Sequence, residues 1–142
     1  MAVADCIFCA IVAGHAPARV VHEDERTLAF LDIAPIVRGH TLVVPKRHCR
    51  DLLDIRTEDM VAVALATRDV SRRVVANLGA DGINLIQATG EAALQTVFHF
   101  HFHVLPRFAD DALPLPEQLA QRRLGEGAEL DAIADRIGRV PR

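Results

Sequence analysis

Phe98-His99-Phe100-His101-Phe102-His103-Val104 is the stretch that best defines this chain, because histidine and a large apolar residue alternate along it. A β-strand turns successive side chains to opposite faces, so the three histidines are expected on one face and the apolar residues on the other. The alternation predicts a strand over Thr96–Leu105 that Pro106 ends, with Phe98 and the other phenylalanines facing the core. Three adjacent imidazoles repel one another when protonated, so a site for an anion, a metal or both explains them better than stability does.

Two kinds of chemistry fit a face of three histidines. Imidazoles can bind a transition metal, or one neutral imidazole can attack an electrophile while its neighbours stabilise charge. No aspartate or glutamate follows His103 until Asp110, which disfavours metal sites that need a carboxylate ligand. Gln95 and Thr96 come just before the histidines, and such hydrogen-bonding side chains suit the oxygens of a phosphoryl group.

The composition is that of one folded domain without a broad basic surface. The chain has 142 residues, of which 51% are hydrophobic and 25% charged, so it can bury a core. Its formal net charge of −3 argues against non-specific nucleic-acid binding, although a nucleotide could still occupy a local pocket. Neither a signal peptide nor a membrane span is evident, and the cytoplasm is the expected location. In such a chain the spacing of Cys6 and Cys9 is more typical of metal or redox chemistry than of a disulfide framework.

The remaining pattern predicts an α+β fold with a mainly antiparallel sheet. Apolar residues at three- to four-residue spacing predict one long helix from an N-cap at Thr57 to a C-cap at Gly79. Strand pairs with short connections, interrupted by one long helix, are typical of this class. The other predicted elements are a short helix Cys6–Ala13, the strands Arg19–His22, Thr27–Leu31, Thr41–Val44 and Ile83–Gln87, and helical segments Leu115–Leu124 and Glu129–Ile137.

The stretch Gln-Thr-Val-Phe-His-Phe-His-Phe-His-Val-Leu over Gln95–Leu105 resembles the signature of the histidine triad (HIT) superfamily. Four further segments resemble family segments in the family order: Cys6-Ile-Phe-Cys9, Phe30-Leu-Asp32-Ile33-Ala-Pro35, Arg38-Gly39-His40-Thr41 and Val43-Val44-Pro45-Lys46-Arg47-His48. The resemblance covers about residues 5–107 and is nearest to small bacterial proteins of the nucleoside phosphoramidase and dinucleotide hydrolase type. It implies a single HIT domain over residues 1–142 with a C-terminal tail at 108–142. It also implies a five-stranded antiparallel sheet with one long and one short helix, extended across a homodimer.

The resemblance assigns roles to individual residues. His101 would attack the α-phosphate of an adenosine-type nucleotide and form a nucleotidyl-histidine intermediate. His103 would contact the phosphate and assist proton transfer, and His99 completes the catalytic triad. Asp32 would take both ribose hydroxyls of a purine mononucleotide or dinucleoside polyphosphate, although a turn role stays open for it. The residues implied in nucleotide binding are Ile7, Phe8, Phe30, Asp32, Ile33, Gln95, Thr96 and His103, and for the four apolar ones a plain core role stays open.

Cys6, Cys9, His48 and His99 form a second group, which supplies the four N/S ligands of a closed structural zinc site. The resemblance supports structural zinc, because several bacterial members of the family bind zinc at these positions. A reduced metal-free pair or a disulfide remains the alternative. Cys49 is expected to be a bystander. No catalytic metal or organic cofactor is implied.

Two positions depart from the family pattern. Ala88 stands where the family usually has Asn or Gln, and Leu94 where it often has Gly. The leading hypothesis is a hydrolase or transferase that acts on adenosine phosphoramidates or diadenosine polyphosphates, without nucleic-acid or membrane partners. The second is a zinc-stabilised, non-catalytic nucleotide-binding or adaptor protein. The third is a metal hydrolase that uses the histidines as ligands.

Overall fold

The computed structural model describes residues 3–113 and 126–137 and divides the chain into two compact units, Met1–Asp110 and Asp111–Arg142. The first unit contains every predicted site residue. The second unit contains a helix over Gly127–Ile137, which confirms the helical segment predicted at Glu129–Ile137. The segment predicted at Leu115–Leu124 lies outside the described residues. No helix in the described part of the chain is long and apolar enough to cross a membrane.

One short and one long helix belong to the first unit. Helix α1, Ile7–Val12, follows Cys6, whose Sγ accepts a hydrogen bond from the backbone N–H of Cys9. Helix α2, Thr57–Leu78, ends at Gly79, whose φ of +68° lies in the left-handed region that favours glycine. The residue at the N-cap is Arg56, one position before the predicted Thr57. A 3₁₀ turn covers Glu91–Ala93, and the helix of the second unit is α3, Gly127–Ile137.

Five strands form one antiparallel sheet in the order β1-β2-β3-β5-β4. This confirms the predicted α+β class and the five-stranded antiparallel sheet. The first four strands lie within one residue of their predicted bounds, whereas β5 continues one residue past the predicted stop at Pro106. The strands are β1 (Val20–Glu23), β2 (Thr27–Leu31), β3 (Thr41–Pro45), β4 (Gly82–Ile86) and β5 (Phe102–Arg107).

Apolar side chains on the two faces of the sheet form two separate buried clusters. The cluster that includes α2 contains Ala29, Val43, Cys49, Val63, Ala66, Val70, Phe100 and Val104. The cluster that includes α1 contains Phe8, Leu28, Phe30, Leu42 and Val44. The sheet therefore separates the long helix from the short one, and each helix covers one face.

The histidine strand begins later than the alternation predicts. The chain bends at residues 97–99, and β5 starts only at Phe102. The backbone groups that strand pairing would need are used elsewhere. The N–H of Phe100 donates to the carbonyl of Cys49 at 2.8 Å, and the carbonyl of His99 accepts a 2.7 Å hydrogen bond from Nδ1 of His101. The strand predicted from Thr96 is therefore wrong over its first half.

Phe98 also departs from the predicted alternation. Phe100 is fully buried and Phe102 packs against the same cluster, which confirms the core face for these two. Phe98, in the bend, is 40% exposed. The apolar face of the histidine stretch is thus shorter than predicted, and one aromatic ring is left at the surface.

The turn before the histidines holds one residue in an unfavourable backbone conformation. Leu94 is the only non-glycine residue with a positive φ (67°) in the described ranges, and its side chain is 83% exposed. This backbone conformation costs a side-chain-bearing residue about 1 kcal/mol or more. We expect Leu94→Gly to raise the free energy of unfolding, measured by urea denaturation, by about 0.5–1 kcal/mol.

Leu53 provides the matched control for Leu94, because it is equally exposed at 83% but is not among the residues with a positive φ. Leu53→Gly adds freedom to the unfolded chain without relieving strain, so it should lower the free energy of unfolding. A stabilisation by both glycines, or by neither, would contradict the account of Leu94.

Candidate active site and metal site

His101 is held as a neutral imidazole with its lone pair on Nε2. Its Nδ1 donates a 2.7 Å hydrogen bond to the backbone carbonyl of His99, which requires the proton on Nδ1. Burial lowers the pKa of His101, and the hydrogen bond to His99 and the charge of Asp32 only partly oppose that shift. A neutral ring with a free Nε2 is the nucleophilic form of histidine.

A chain of hydrogen bonds fixes the proton positions of His40 and His103. The backbone N–H of Ile36 donates to Nδ1 of His40 at 3.2 Å, so neutral His40 carries its proton on Nε2. This Nε2 lies 2.8 Å from Nδ1 of His103 and donates to it, which leaves the proton of neutral His103 on its Nε2. Burial lowers the pKa of both groups, that of His103 to about 4. His103 therefore offers an N–H donor where His101 offers a lone pair.

His40 is a site residue that the sequence analysis did not single out. It is buried, and its Nε2 also lies 3.6 Å from Oδ2 of Asp32. Asp32, His40 and His103 place one ligand atom each within 4.8 Å of one another. The histidine in Arg38-Gly39-His40-Thr41 was the available signal, but a single histidine distant in sequence carries no indication that it supports another ring.

Most of the predicted nucleotide-binding residues line one cavity of about 470 Å³ beside these rings. This size suits a small-molecule ligand. We call it the histidine pocket; of the predicted residues it is lined by Ile7, Phe8, Phe30, Asp32, Ile33, Thr96, His101 and His103. Further lining residues that the sequence analysis missed are Ile11, Ala16, Pro17, Ala18, Leu31, Leu42 and Val97.

The apolar residues predicted in the histidine pocket differ in burial. Phe8 and Phe30 are buried and meet edge to face with ring centroids 5.3 Å apart, so they belong to the core and the pocket at once. Ile7 and Ile33 are exposed. Oδ1 of Asp32 accepts the backbone N–H of Ala34 at 2.8 Å, as in a turn, while Asp32 also lines the pocket. The turn and pocket roles of Asp32 are therefore compatible.

The structure corrects the expected role of Gln95. Its side chain is buried outside the histidine pocket, and its amide is engaged by the backbone. Nε2 donates to the carbonyls of Arg50 (2.8 Å) and Val97 (3.2 Å), while Oε1 accepts the N–H of Gly90 (2.8 Å). Gln95 thus fixes the loop that carries Thr96 instead of facing a phosphate.

The two polar residues beside Ala88 lie away from the histidine pocket. The neighbouring Gln87 and Thr89 do not line the histidine pocket. Thr89 Oγ1 donates to Gln87 Oε1 at 2.9 Å and accepts the backbone N–H of Leu52 at 3.2 Å. The polar groups beside Ala88 therefore hold their own loop.

Cys6, Cys9, His48 and His99 come together in a second group of side chains. Sγ of Cys6 is 3.4 Å from Nδ1 of His99, and Sγ of Cys9 is 3.3 Å from Nδ1 of His48 and 3.6 Å from Nδ1 of His99. The four ligand atoms lie within 4.8 Å of one another. In tetrahedral zinc sites sulfur and nitrogen ligands are about 3.5 Å apart, given bonds of about 2.3 and 2.0–2.1 Å. The three sulfur-to-nitrogen distances are therefore close to those of a tetrahedral zinc site.

His99 is already oriented as a metal ligand. Its Nε2 donates to the carbonyl of Pro45 at 2.8 Å, which leaves the lone pair on Nδ1 towards the two thiols. Burial lowers the pKa of His99 to about 4, so the ring is neutral. His99, which does not line the histidine pocket, is thus oriented towards the thiols, away from the chemistry of His101.

A HIT domain family model matches residues 13–110. This chain belongs to the HIT family. The match covers the sheet, α2 and all three histidines, and extension of the domain to residue 142 stays a prediction. Membership of this family therefore agrees with the α+β fold that the sequence pattern predicted and the structure shows.

Relatives and solved structures agree with this membership. An uncharacterized HIT-like protein of Mycobacterium tuberculosis is 45% identical over 118 residues, covering 83% of this chain and 82% of that protein. The adenylylsulfatase HINT3 of Arabidopsis thaliana is 33% identical over 135 residues, covering 95% and 68%. The crystal structure of a HIT family member from Bacillus subtilis matches with a TM-score of 0.83 and 32% identity, covering 97% and 99% of the two chains. A zinc-bound histidine triad protein of Mycobacterium smegmatis matches with a TM-score of 0.73 and 41% identity, covering 91% and 97%.

Because His103 is buried in its neutral form, we expect the folded protein to lose stability in mild acid. The pKa of histidine in the unfolded chain is near 6.5, whereas burial lowers the pKa of His103 in the folded protein to about 4. Between these values the unfolded chain binds more protons, so this stability is complete above about pH 6.5 and is lost as the pH falls towards 4. We expect unfolding in urea to become easier at pH 5 than at pH 7.

His103→Asn isolates this contribution, because its Oδ1 can accept the hydrogen bond of His40 but does not titrate. The fall in unfolding free energy from pH 7 to pH 5 should be smaller in this variant by about 1 kcal/mol, since partial exposure reduces the effect. An identical fall in the two proteins would contradict the neutral assignment.

Proposed function

We propose that this protein is a hydrolase or transferase that acts at the α-phosphate of adenosine-type nucleotides through a nucleotidyl intermediate on His101. Candidate substrates are adenosine phosphoramidates and diadenosine polyphosphates. The observation that carries the proposal is the hydrogen bond between Nδ1 of His101 and the carbonyl of His99, because it leaves an unprotonated Nε2 beside the pocket. The name of the Arabidopsis relative, an adenylylsulfatase, supports chemistry on an adenylyl group.

The reaction has two displacements at phosphorus. In the first, Nε2 of His101 forms a bond to the α-phosphorus while the bond to the leaving group breaks, with its electron pair departing on that group. An amine takes up a proton as it leaves, which Nε2 of His103 can donate, whereas a polyphosphate departs as an anion. In the second, a water oxygen bonds to phosphorus while the bond from phosphorus to Nε2 breaks and its electron pair returns to His101. The water gives up a proton to Nε2 of His103 or to solvent, and the mononucleotide is released; in a transferase another acceptor takes the place of water.

His103, Thr96 and Asp32 would support these steps. The Nε2 proton of His103 can donate to a phosphoryl oxygen, and the hydroxyl of Thr96 lines the same pocket. His40 maintains that proton on His103 through the 2.8 Å hydrogen bond. Asp32 would accept the two ribose hydroxyls, and Phe8 and Phe30 would contact the purine.

A non-catalytic nucleotide-binding or adaptor function is the second candidate. It is favoured by the absence of a polar side chain at Ala88 and by Leu94, whose 83% exposed side chain stands in the loop before Thr96. Both substitutions would slow phosphate chemistry without disturbing the pocket that binds the nucleoside. The two candidates differ in turnover, which the next experiment measures.

Replacement of the nucleophile separates catalysis from binding. His101→Ala should lower kcat for adenosine 5′-phosphoramidate by at least about 10³-fold, because the covalent route is removed. The dissociation constant for AMP, measured by calorimetry, should change only slightly. Turnover at the rate of the unaltered protein would rule out the mechanism, and the absence of turnover in the unaltered protein on either substrate class would favour the adaptor function.

We also propose that Cys6, Cys9, His48 and His99 hold a structural zinc ion, in keeping with the zinc-bound relative of M. smegmatis. Burial and the neighbouring Cys9 raise the pKa of the Cys6 thiol, so a bound cation would be needed to keep it as a thiolate at neutral pH. The ion would tie the segment before α1 to the histidine stretch. It takes no part in the two displacements.

Elemental analysis of protein purified without added metal tests this site. About one zinc per chain is expected, and Cys9→Ser should lose it together with several degrees of thermal stability. Cys49 is the matched control, since it is a buried thiol outside the cluster, and Cys49→Ser should retain the metal. The assignment would be contradicted if the unaltered protein contains no zinc and Cys9→Ser does not change its thermal stability.

We further propose that two chains associate through β4, an edge strand of the sheet. A groove of about 660 Å³ lies between β4 and α2 and is mostly apolar, with Leu85 51% exposed. Within it the hydroxyls of Thr67 and Ser71 are buried without a hydrogen-bond partner in the described part of the chain. An unpaired edge beside an apolar groove is a surface that a second copy can cover.

A charge in this groove should separate the two chains. Leu85→Arg is expected to convert a dimer into a monomer in light scattering, because an arginine at the edge would be buried without a partner. Val61→Arg is the control, because Val61 is exposed on α2 but does not line the groove. Light scattering that gives a monomer for the unaltered protein would overturn the dimer.

A further inference from the structure

A second cavity of about 520 Å³ adjoins the histidine pocket, and Cys6 and His48 of the proposed zinc site form part of its lining. Ile7, Thr96 and Val97 line both cavities, so they form the boundary between them. We call the second cavity the Phe98 pocket. A group attached to a phosphate beside His101 could therefore pass over Thr96 into the Phe98 pocket.

Phe98 gives this pocket an aromatic wall. Its ring is 40% exposed and lies outside both apolar clusters, although the alternation of the sequence would have placed it in the core. Because the ring is partly exposed and lines this cavity, a ligand that enters the cavity can contact it. Nucleobases stack on such rings, and the contact tolerates any base.

Arg50 gives the pocket a positive charge. Its Nε donates to Oδ2 of Asp51 at 2.7 Å, and Oδ1 of Asp51 accepts the backbone N–H of Leu53 at 2.9 Å. The guanidinium is thus anchored on one side, while the side chain as a whole is 62% exposed. Arg50 is the only arginine or lysine among the described residues that line the two cavities. Asp5, an acidic residue, also lines the Phe98 pocket.

We propose that the Phe98 pocket receives the leaving group, and that this leaving group is a nucleoside polyphosphate. Phe98 would stack on its base, and the amino groups of Arg50 would contact its phosphates. The inference rests on the proposed function and narrows its substrate to dinucleoside polyphosphates. As the bond from Nε2 of His101 to phosphorus forms, the bond from phosphorus to the bridging oxygen breaks. That oxygen keeps the electron pair and leaves as a phosphate anion, without needing a proton.

Two substrates with the same adenylyl group and different leaving groups test the proposal. Diadenosine tetraphosphate fills the Phe98 pocket, whereas adenosine 5′-phosphoramidate has only an amine to place there. We expect Phe98→Leu, which keeps an apolar side chain and removes the π-face, to lower kcat/KM for the dinucleotide about 5- to 100-fold. Arg50→Lys, which keeps the charge and loses the planar fork, should lower it as well. The change for the phosphoramidate should stay within about twofold.

Matched controls lie nearby on the surface. Arg47→Lys and Leu53→Ala alter an exposed arginine and an exposed apolar residue outside both cavities and should affect neither substrate. A second measurement avoids turnover: in a His101→Ala background, Phe98→Leu should weaken binding of diadenosine tetraphosphate but not of AMP. This readout also detects a folding defect, which would weaken both.

The outcomes separate this inference from the function on which it rests. Suppose that the unaltered protein hydrolyses both substrates. If Phe98→Leu then lowers kcat/KM equally for the two substrates, or for neither, the leaving-group pocket is overturned and the mechanism stays intact. An unaltered protein that cleaves the phosphoramidate but not diadenosine tetraphosphate would also overturn the leaving-group pocket. Failure of the unaltered protein to cleave either substrate would remove the proposed function itself, and the inference with it.

Discussion

The hydrogen bond from Nδ1 of His101 to the carbonyl of His99 is the interaction on which the site depends. It fixes the tautomer of His101 and leaves Nε2 beside the histidine pocket. The same carbonyl belongs to the bend at residues 97–99 that precedes β5. One backbone group thus takes part both in fixing the tautomer of the ring and in the bend of the chain.

That bend separates rings that the sequence would place side by side. His99 faces the two thiols and the carbonyl of Pro45, while His103 joins His40. Phe8 of α1 lies between the two regions, with its centroid 5.2 Å from that of His101 and 5.9 Å from that of His99. If zinc is bound as proposed, it would hold the segment before α1. Helix α1 would in turn hold the ring of Phe8, against which His101 packs.

Local patterns were sufficient for most strands and helices, because period-two and three-to-four spacings identify these elements directly. The residues of the pocket were predicted from the resemblance to the HIT family. These local patterns did not predict the contacts in which a side chain forms a hydrogen bond with a distant segment of the chain. The amide of Gln95 bonds Arg50, and the ring of His40 supports His103; neither partner can be read from spacing. Such contacts between distant segments carry no periodic signal. The core position predicted for Phe98 is wrong because this residue lies in the bend at residues 97–99.

Mapping the covalent intermediate tests the central claim most directly. Protein would be mixed rapidly with adenosine 5′-phosphoramidate, quenched in alkali, digested, and examined by mass spectrometry and phosphorus NMR. The account predicts a nucleotidyl group on Nε2 of His101, since Nδ1 is committed to the carbonyl of His99. A nucleotidyl group on another residue or on Nδ1, or turnover without an adduct, would contradict it.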